Sequence, residues 1–131
     1  MMRSFFFLLF AVSLFGAKVE FEALNIEKSL QKEIQTYWSY RESSNYDLQK
    51  LYNMELPFLK FLYTKMEYRA FAPPLDFTKI EFDKIFKNKN GKIELGGWIV
   101  DTDDEKHYFH DLWIKMDGTW YHRVSDKLLP F

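Results

Sequence analysis

Residues 107–124 read HYFHDLWIKMDGTWYHRV, and this stretch does most to decide the fold class. Two runs of alternating apolar and polar residues flank Asp117-Gly118, a dipeptide typical of a two-residue β-hairpin loop. A two-residue loop pairs Met116 with Thr119, so the numbers of all paired residues sum to 235. A three-residue loop would shift this register by one residue.

The register predicts which side chains share a face, because successive side chains of a strand point to opposite faces. One face is expected to carry His107, Phe109, Asp111, Trp113, Lys115, Trp120, His122 and Val124. The other is expected to carry Tyr108, His110, Leu112, Ile114, Met116, Thr119, Tyr121, Arg123 and Ser125. Both sets contain aromatic residues, which indicates that helices, a ligand or another subunit cover the second face as well.

The sequence before this hairpin changes its hydrophobic period at Pro73-Pro74. Upstream, apolar residues recur every three or four positions, which is the period of an amphipathic helix. This pattern predicts a helix over 21–41, a short helix capped by Asn45, and a third helix from about Phe58. In the third helix, one side is expected to carry Phe61, Leu62, Met66 and Arg69.

Downstream of the two prolines the period falls to two, which predicts strands. Ile80, Phe82 and Phe86 are expected on one side of the first strand. Asn90-Gly91 indicates a second hairpin, and residues 101–105 form a predicted polar turn. Helices followed by a meander of about four strands predict an α+β domain, in which N-terminal helices pack on a curved antiparallel sheet.

The composition excludes several classes of protein. The chain has 131 residues, with 18 Lys and Arg against 19 Asp and Glu, and no Cys. A balanced charge gives no basic surface for a nucleic-acid backbone, so no nucleic-acid partner is expected. Without cysteine, disulfides, cysteine metal sites and thiol nucleophiles are excluded. We expect one domain and no cofactor.

The first 17 residues have the pattern of a secretory signal peptide, with Arg3 before an uncharged run over 5–15 and then Gly16-Ala17. We expect cleavage after Ala17, which leaves residues 18–131 as one periplasmic or secreted domain. The run is shorter than the roughly 20 residues that span a bilayer, so no stable membrane span is expected after cleavage. Phe15 stands where a small residue is preferred before the cut, and an uncleaved anchor is the alternative.

The chain resembles the nuclear transport factor 2-like superfamily over about residues 22–129. The resemblance rests on three helices followed by a curved aromatic meander, and on Tyr37-Trp38-Ser39-Tyr40, Asn45-Tyr46, Leu51-Tyr52, Pro57, Trp113 and Trp120. It implies a cone in which a bent sheet wraps a long helix, with a pocket at the wide end and dimerisation through the sheet. The superfamily includes isomerases and dehydratases, binding modules, and accessory domains of periplasmic cell-wall enzymes. The acid and tyrosine pair of its ketosteroid isomerases does not align with positions of this chain.

His122 and Asp111 form the sharpest catalytic candidate. The register makes them diagonal neighbours on one face, with Trp113 and Trp120 expected to flank them. An imidazole oriented by a carboxylate can act as a general base. The alternative is a histidine at the rim of the sheet that stacks on tryptophan and binds a surface carboxylate.

No metal site is expected. His107 and His110 lie three residues apart on a strand and therefore face opposite sides, which excludes a metal shared with Asp111. Residues 101–105 resemble the start of a calcium loop. However, Lys106 and Leu112 stand where that loop requires glycine and glutamate.

Aromatic side chains with polar tips are the candidates for a ligand-binding wall. Trp38, Tyr52 and Trp98 are the leading candidates, together with Trp113 and Trp120 on the hairpin.

Three further features have a functional and a structural interpretation. Arg41 and Arg69, at predicted helix ends, are candidates for binding an anionic group, and a salt bridge or a carbonyl contact is the alternative. Gly96-Gly97 lacks the context of a phosphate-binding loop and is expected to form a bulge that bends the sheet.

The sequence supports three functional hypotheses. The first is an exported, non-catalytic domain that binds a small molecule or cell-envelope component in an aromatic pocket, as a homodimer. The second is an isomerase or lyase that uses His122 and Asp111. The third is a protein-interaction subunit of a larger periplasmic cell-wall enzyme, docked through an exposed face of the sheet.

Overall fold

The computed structural model describes residues 18–124, so the predicted signal peptide and Ser125 lie outside the described residues. In chain order the elements are β1 (Lys18–Phe21), α1 (Lys28–Arg41), α2 (Leu48–Met54), α3 (Leu59–Leu62), α4 (Lys65–Phe71), β2 (Phe77–Lys89), β3 (Lys92–Asp101), β4 (Lys106–Met116) and β5 (Thr119–Arg123). A 3-10 turn, Ser43–Asn45, follows α1. The helices pack on one face of a curved sheet, as the predicted α+β class requires.

The sheet has five strands in the order β1-β2-β3-β4-β5. Four of them form the predicted antiparallel meander, whereas β1 pairs with β2 in parallel. The prediction of a helix from residue 21 was therefore wrong at its start. Phe21 ends β1 and its ring stacks on Phe82 at 5.5 Å, and the backbone then turns at Ala23, whose φ is 48°.

Both predicted hairpins are confirmed. At Asn90-Gly91 the φ angles are 53° and 73°, and at Asp117-Gly118 they are 51° and 81°. Two successive positive φ angles define the type I′ turn, whose twist matches that of the flanking strands. Met116 lies opposite Thr119, which confirms the predicted register of the β4–β5 hairpin.

A bulge in β2 bends the sheet opposite Gly96-Gly97. Gly97 pairs with Phe82 and Gly96 pairs with Lys84, so one residue of β2 is left unpaired between them. A second shift follows between Ile85 and Lys87. Phe86 consequently leaves the face that carries Ile80 and Phe82 and is 42 % exposed, which corrects its predicted position.

The helices depart from prediction at their ends. Asp47, not Asn45, caps α2, because its side chain accepts from the Lys50 amide. The predicted third helix is two short ones, since Thr64 and Glu67 form a capping box that starts α4. The apolar residues expected on one side of a single helix are therefore divided between α3 and α4, and Phe61, Leu62 and Met66 are exposed.

Candidate functional site

The inner face of the sheet carries a buried cluster of charged groups beneath α1. His122 on β5 is 5 % exposed, Asp111 on β4 is 2 % exposed, and Glu55, in the segment after α2, is fully buried. His122 Nε2 lies 2.8 Å from Asp111 Oδ1, and His122 Nδ1 lies 2.7 Å from Glu55 Oε2. The predicted pairing of His122 with Asp111 is therefore confirmed, and Glu55 is a third member of the cluster that was not predicted.

Glu55 reaches His122 because its segment docks on the free edge of β5. The Leu56 amide donates to the His122 carbonyl at 3.0 Å, and Glu55 forms a parallel bridge with His122. The only sequence signal for this contact is a lone acid between Met54 and Leu56, just before Pro57. Such a residue is exposed in most proteins, so the signal is weak.

Neutral donors surround both carboxylates. Asp111 Oδ2 accepts from the indole nitrogens of Trp38 at 3.0 Å and Trp113 at 2.9 Å. Glu55 Oε2 also accepts from the Tyr68 hydroxyl at 2.6 Å, and its Oε1 accepts from the Val124 amide at 2.8 Å. Each carboxylate is thus fully hydrogen-bonded, which burial of a charge requires.

The two carboxylates hold His122 as an imidazolium. Burial alone lowers the pKa of this histidine, but the negative charges of Glu55 and Asp111 and the hydrogen bonds to them raise it to about 9. At neutral pH both ring nitrogens therefore carry protons and donate to carboxylates. The imidazole has no free lone pair with which to accept a proton from a substrate.

Aromatic rings enclose the imidazolium. The Tyr37 ring stacks on it with 3.9 Å between centroids, and Trp113 meets it edge-on at 5.1 Å. Trp120 was also expected to flank His122, but its indole nitrogen donates to Glu27 at 2.6 Å. Burial raises the pKa of the Tyr37 hydroxyl well above the ordinary tyrosine value, so this group stays neutral.

Arg41 lies at the end of α1 and is 2 % exposed. Its Nε donates to the Pro73 carbonyl at 2.9 Å and its Nη1 donates to the Tyr37 hydroxyl at 3.2 Å. The guanidinium carbon lies 5.3 Å from the centre of the Trp38 ring. Its Nη2 has no hydrogen-bond partner among residues 18–124, although this atom is buried.

The five predicted ligand-binding residues do not form one wall. Trp38 and Trp113 are buried on the inner face, with their indole nitrogens bound to Asp111. The Tyr52 hydroxyl donates to the Tyr63 carbonyl at 2.6 Å, and its ring packs against Tyr68 at 5.4 Å. Trp98 lies on the opposite face of the sheet, where it packs edge-on against Tyr108.

The turn between β3 and β4 brings possible metal ligands together. Ligand atoms of Asp101, Glu105 and His107 lie within 4.8 Å of one another. Asp101 Oδ1 accepts from the backbone amides of Asp103 and Glu105, and Oδ2 lies 2.9 Å from His107 Nε2. Through these hydrogen bonds Asp101 stabilises the turn, which gives its carboxylate a structural role. His107 and His110 lie on opposite faces, as expected.

Comparison with known proteins identifies the fold. No protein-family model matches the sequence, and no curated protein matches it. A solved structure that matches is an NTF2-like transpeptidase from Campylobacter jejuni, with 10 % identity and a TM-score of 0.51. The match covers 75 % of this chain and 100 % of that one. At this identity the likeness concerns the fold, and the chain has the nuclear transport factor 2-like α+β fold.

Proposed function

We propose that the chain is a non-catalytic domain that binds a small molecule with an aromatic or apolar body and an anionic group. The observation that carries this proposal is the unpartnered, buried Nη2 of Arg41. A buried guanidinium nitrogen without an acceptor is costly, and an anionic ligand atom supplies the acceptor it lacks. Arg41 was one of two arginines that the sequence offered for this role.

The charges around Arg41 favour an anion. Arg41 and Arg69 form no ion pair within residues 18–124. Both act on the Tyr46 hydroxyl: partial burial raises its pKa, and the positive charges of Arg69 and Arg41 oppose that rise. Protonated His122 already pairs with Glu55 and Asp111, so neither carboxylate is paired with the Arg41 guanidinium.

Aromatic rings beside the guanidinium suit the body of the ligand. Trp38 lies under Arg41, and the Tyr46 ring lies 5.7 Å from the guanidinium carbon of Arg69. Because Pro73 accepts from Arg41 Nε, the connection between α4 and β2 covers the site. Ligand entry requires this connection to shift.

The geometry of His122 favours binding over catalysis. An isomerase or lyase that used His122 as general base would need a ring nitrogen free to accept a proton. Both nitrogens lie within hydrogen-bond distance of carboxylates, and the pKa of about 9 keeps both protonated at neutral pH. The His122–Asp111 pair therefore has a structural role, which is to hold the inner face together.

Two measurements on the purified chain test the binding proposal. Native mass spectrometry after mild purification is expected to show a retained small molecule. Titration with phenyl phosphate, an anionic aromatic probe, is expected to change the tryptophan fluorescence of the wild-type protein, because Trp38 lies beside Arg41. Arg41→Gln should lose both signals while keeping its circular dichroism, and Arg123→Gln, at an exposed site on β5, should keep both. The proposal would be rejected if the wild-type protein retained no small molecule and its fluorescence did not change with phenyl phosphate.

We also propose that residues 1–17 export the chain to the periplasm and are removed there. The charge and apolar run of this segment support the proposal. The mass of the protein recovered from a periplasmic fraction should correspond to a chain that begins at Lys18. A full-length mass in the membrane fraction would favour the uncleaved anchor.

A second candidate function rests on the outer face of the sheet. Phe86 and Tyr108 are exposed there by 42 % and 36 %, beside half-buried Trp98. Exposed apolar groups on adjacent strands favour an interface, and a second copy of the chain is the partner we propose. Light scattering should show a dimer that Trp98→Ser with Tyr108→Ser converts to a monomer. A monomeric wild-type protein would reject the dimer and favour docking to a different subunit.

A further inference from the structure

The segment from Phe58, just before α3, to the start of α4 exposes four large apolar side chains. Their exposed fractions are 66 % for Phe58, 89 % for Phe61, 54 % for Leu62 and 70 % for Met66. We call these four residues the α3–α4 apolar cluster. A side chain that is 89 % exposed has almost no protein against it, so the cluster protrudes from the surface and does not line a groove.

The segment that carries the cluster is basic. Residues 56–66 read LPFLKFLYTKM, with Lys60 and Lys65 and no acidic residue. Lys60 Nζ contacts the Asn53 carbonyl at 3.5 Å, and Lys65 Nζ donates to Gln49 Oε1 at 2.7 Å. These partners are neutral, and neither lysine forms an ion pair within residues 18–124, although the exposed carboxylate of Glu67 follows Met66 in the chain.

The protein holds this segment in place. The Leu56 amide binds the His122 carbonyl at one end, and the capping box of Thr64 fixes the start of α4 at the other. Between them the Tyr52 hydroxyl donates to the Tyr63 carbonyl at 2.6 Å. The apolar side chains are therefore presented on a fixed backbone, and no folding step is needed before they meet a partner.

We infer that the α3–α4 apolar cluster inserts into the surface of an anionic lipid bilayer, with Lys60 and Lys65 bound to phosphate headgroups. A protruding apolar group with lysines beside it matches the side-chain pattern of interfacial attachment, in which apolar groups enter the acyl boundary and cations meet anionic lipid. A protein partner would favour a flatter or pocketed surface. Among the described residues, no helix is long and apolar enough to cross a membrane.

This inference is independent of the anion site at Arg41, because the two use different residues. The test is co-sedimentation of the full chain with vesicles of phosphatidylglycerol and phosphatidylcholine, compared with vesicles of phosphatidylcholine alone. Wild-type protein should sediment preferentially with the anionic vesicles. Phe61→Ser with Leu62→Ser should weaken binding by about tenfold or more, since two apolar side chains no longer enter the membrane. Lys60→Gln with Lys65→Gln should weaken it about 30-fold.

A matched control removes an exposed apolar group elsewhere. Met116→Ser, at the end of β4 and away from the Phe86 and Tyr108 surface, should bind vesicles as the wild-type protein does. Circular dichroism checks that every variant is folded. Equal sedimentation of wild-type protein and the Phe61 and Leu62 variant would overturn the inference, as would the absence of sedimentation with either vesicle. Either result would favour a protein partner for the α3–α4 apolar cluster.

Discussion

The two faces of the β4–β5 hairpin place a histidine beside a carboxylate in very different surroundings. On the inner face, His122 is buried between Asp111 and Glu55. On the outer face, the side chain of His110 is 49 % exposed, beside Glu94, and its ring stacks on Phe86 at 4.4 Å. Water screens the His110–Glu94 pair, whereas the charges of His122, Asp111 and Glu55 are shielded from water and must be balanced by one another. The same kind of pair therefore contributes very differently to stability on the two faces.

The largest expected effect is the removal of an inner carboxylate. Asp111→Ala leaves the indole nitrogens of Trp38 and Trp113 and one ring nitrogen of His122 without an acceptor. Breaking a buried pair in this way costs on the order of 3–5 kcal/mol in free energy of unfolding. Urea denaturation followed by circular dichroism measures the loss. A cost below about 1 kcal/mol would show that the inner face tolerates the change as an exposed face does.

The second prediction concerns pH. The folded pKa of His122, about 9, lies above its ordinary value of 6.5, so protonation favours the folded state. This contribution is fully present below pH 6.5 and is lost as the pH rises through 9. Stability should therefore fall by roughly 3 kcal/mol across this range. Urea denaturation at a series of pH values gives the profile, and His122→Gln should flatten it. An equally steep fall in His122→Gln would assign the pH dependence to other groups.

The third prediction compares adjacent glycines at the bend. A Cβ at Gly97 would lie 2.8 Å from the Glu81 carbonyl and 2.9 Å from Phe82, and neither the backbone nor a buried ring can easily move. At Gly96 the clash is with the exposed side chains of Tyr108 and Phe86, which can rotate into solvent. Gly97→Ala should cost about 1–3 kcal/mol in free energy of unfolding, and Gly96→Ala should cost less. Thermal unfolding of the two variants ranks them, and the reverse order would contradict this account.

The smallest effect is expected on the outer face. Glu94→Gln removes the carboxylate beside His110, and the cost should stay below about 1 kcal/mol because water replaces the lost interaction. Chemical denaturation of the variant beside wild-type protein measures the difference. A loss comparable to that of Asp111→Ala would mean that a partner covers the outer face during the measurement.

The sequence predicted the His122–Asp111 pair because one hairpin turn fixes which residues of β4 and β5 lie side by side. Once Asp117-Gly118 set the register, Asp111 and His122 had to share a face, and they are 11 residues apart. Glu55 lies 67 residues from His122, and no local period connects the two positions. Its contact depends on how the segment after α2 docks on β5, which only packing determines.

The fold was predictable where local chemistry had one solution. Asn90-Gly91 and Asp117-Gly118 required left-handed backbone, whereas the bulge expected at Gly96-Gly97 lies on the facing strand β2. β1 was not predictable in the same way. Its four residues pair in parallel with β2. Parallel strands need a long connection, and no turn motif in that connection indicates which strand β1 pairs with.

By itself, the sequence determined the α+β class, the hairpin turns, the register of β4 and β5, and the proximity of His122 to Asp111. These features depend on the period of two, on turn geometry and on backbone sterics, which act over a few residues. Packing between distant segments makes Glu55 the third member of the buried set, leaves Arg41 Nη2 without a partner within residues 18–124, and exposes the α3–α4 apolar cluster. Burial and charge pairing depend on which surfaces meet, and those surfaces are brought together by contacts between distant parts of the chain.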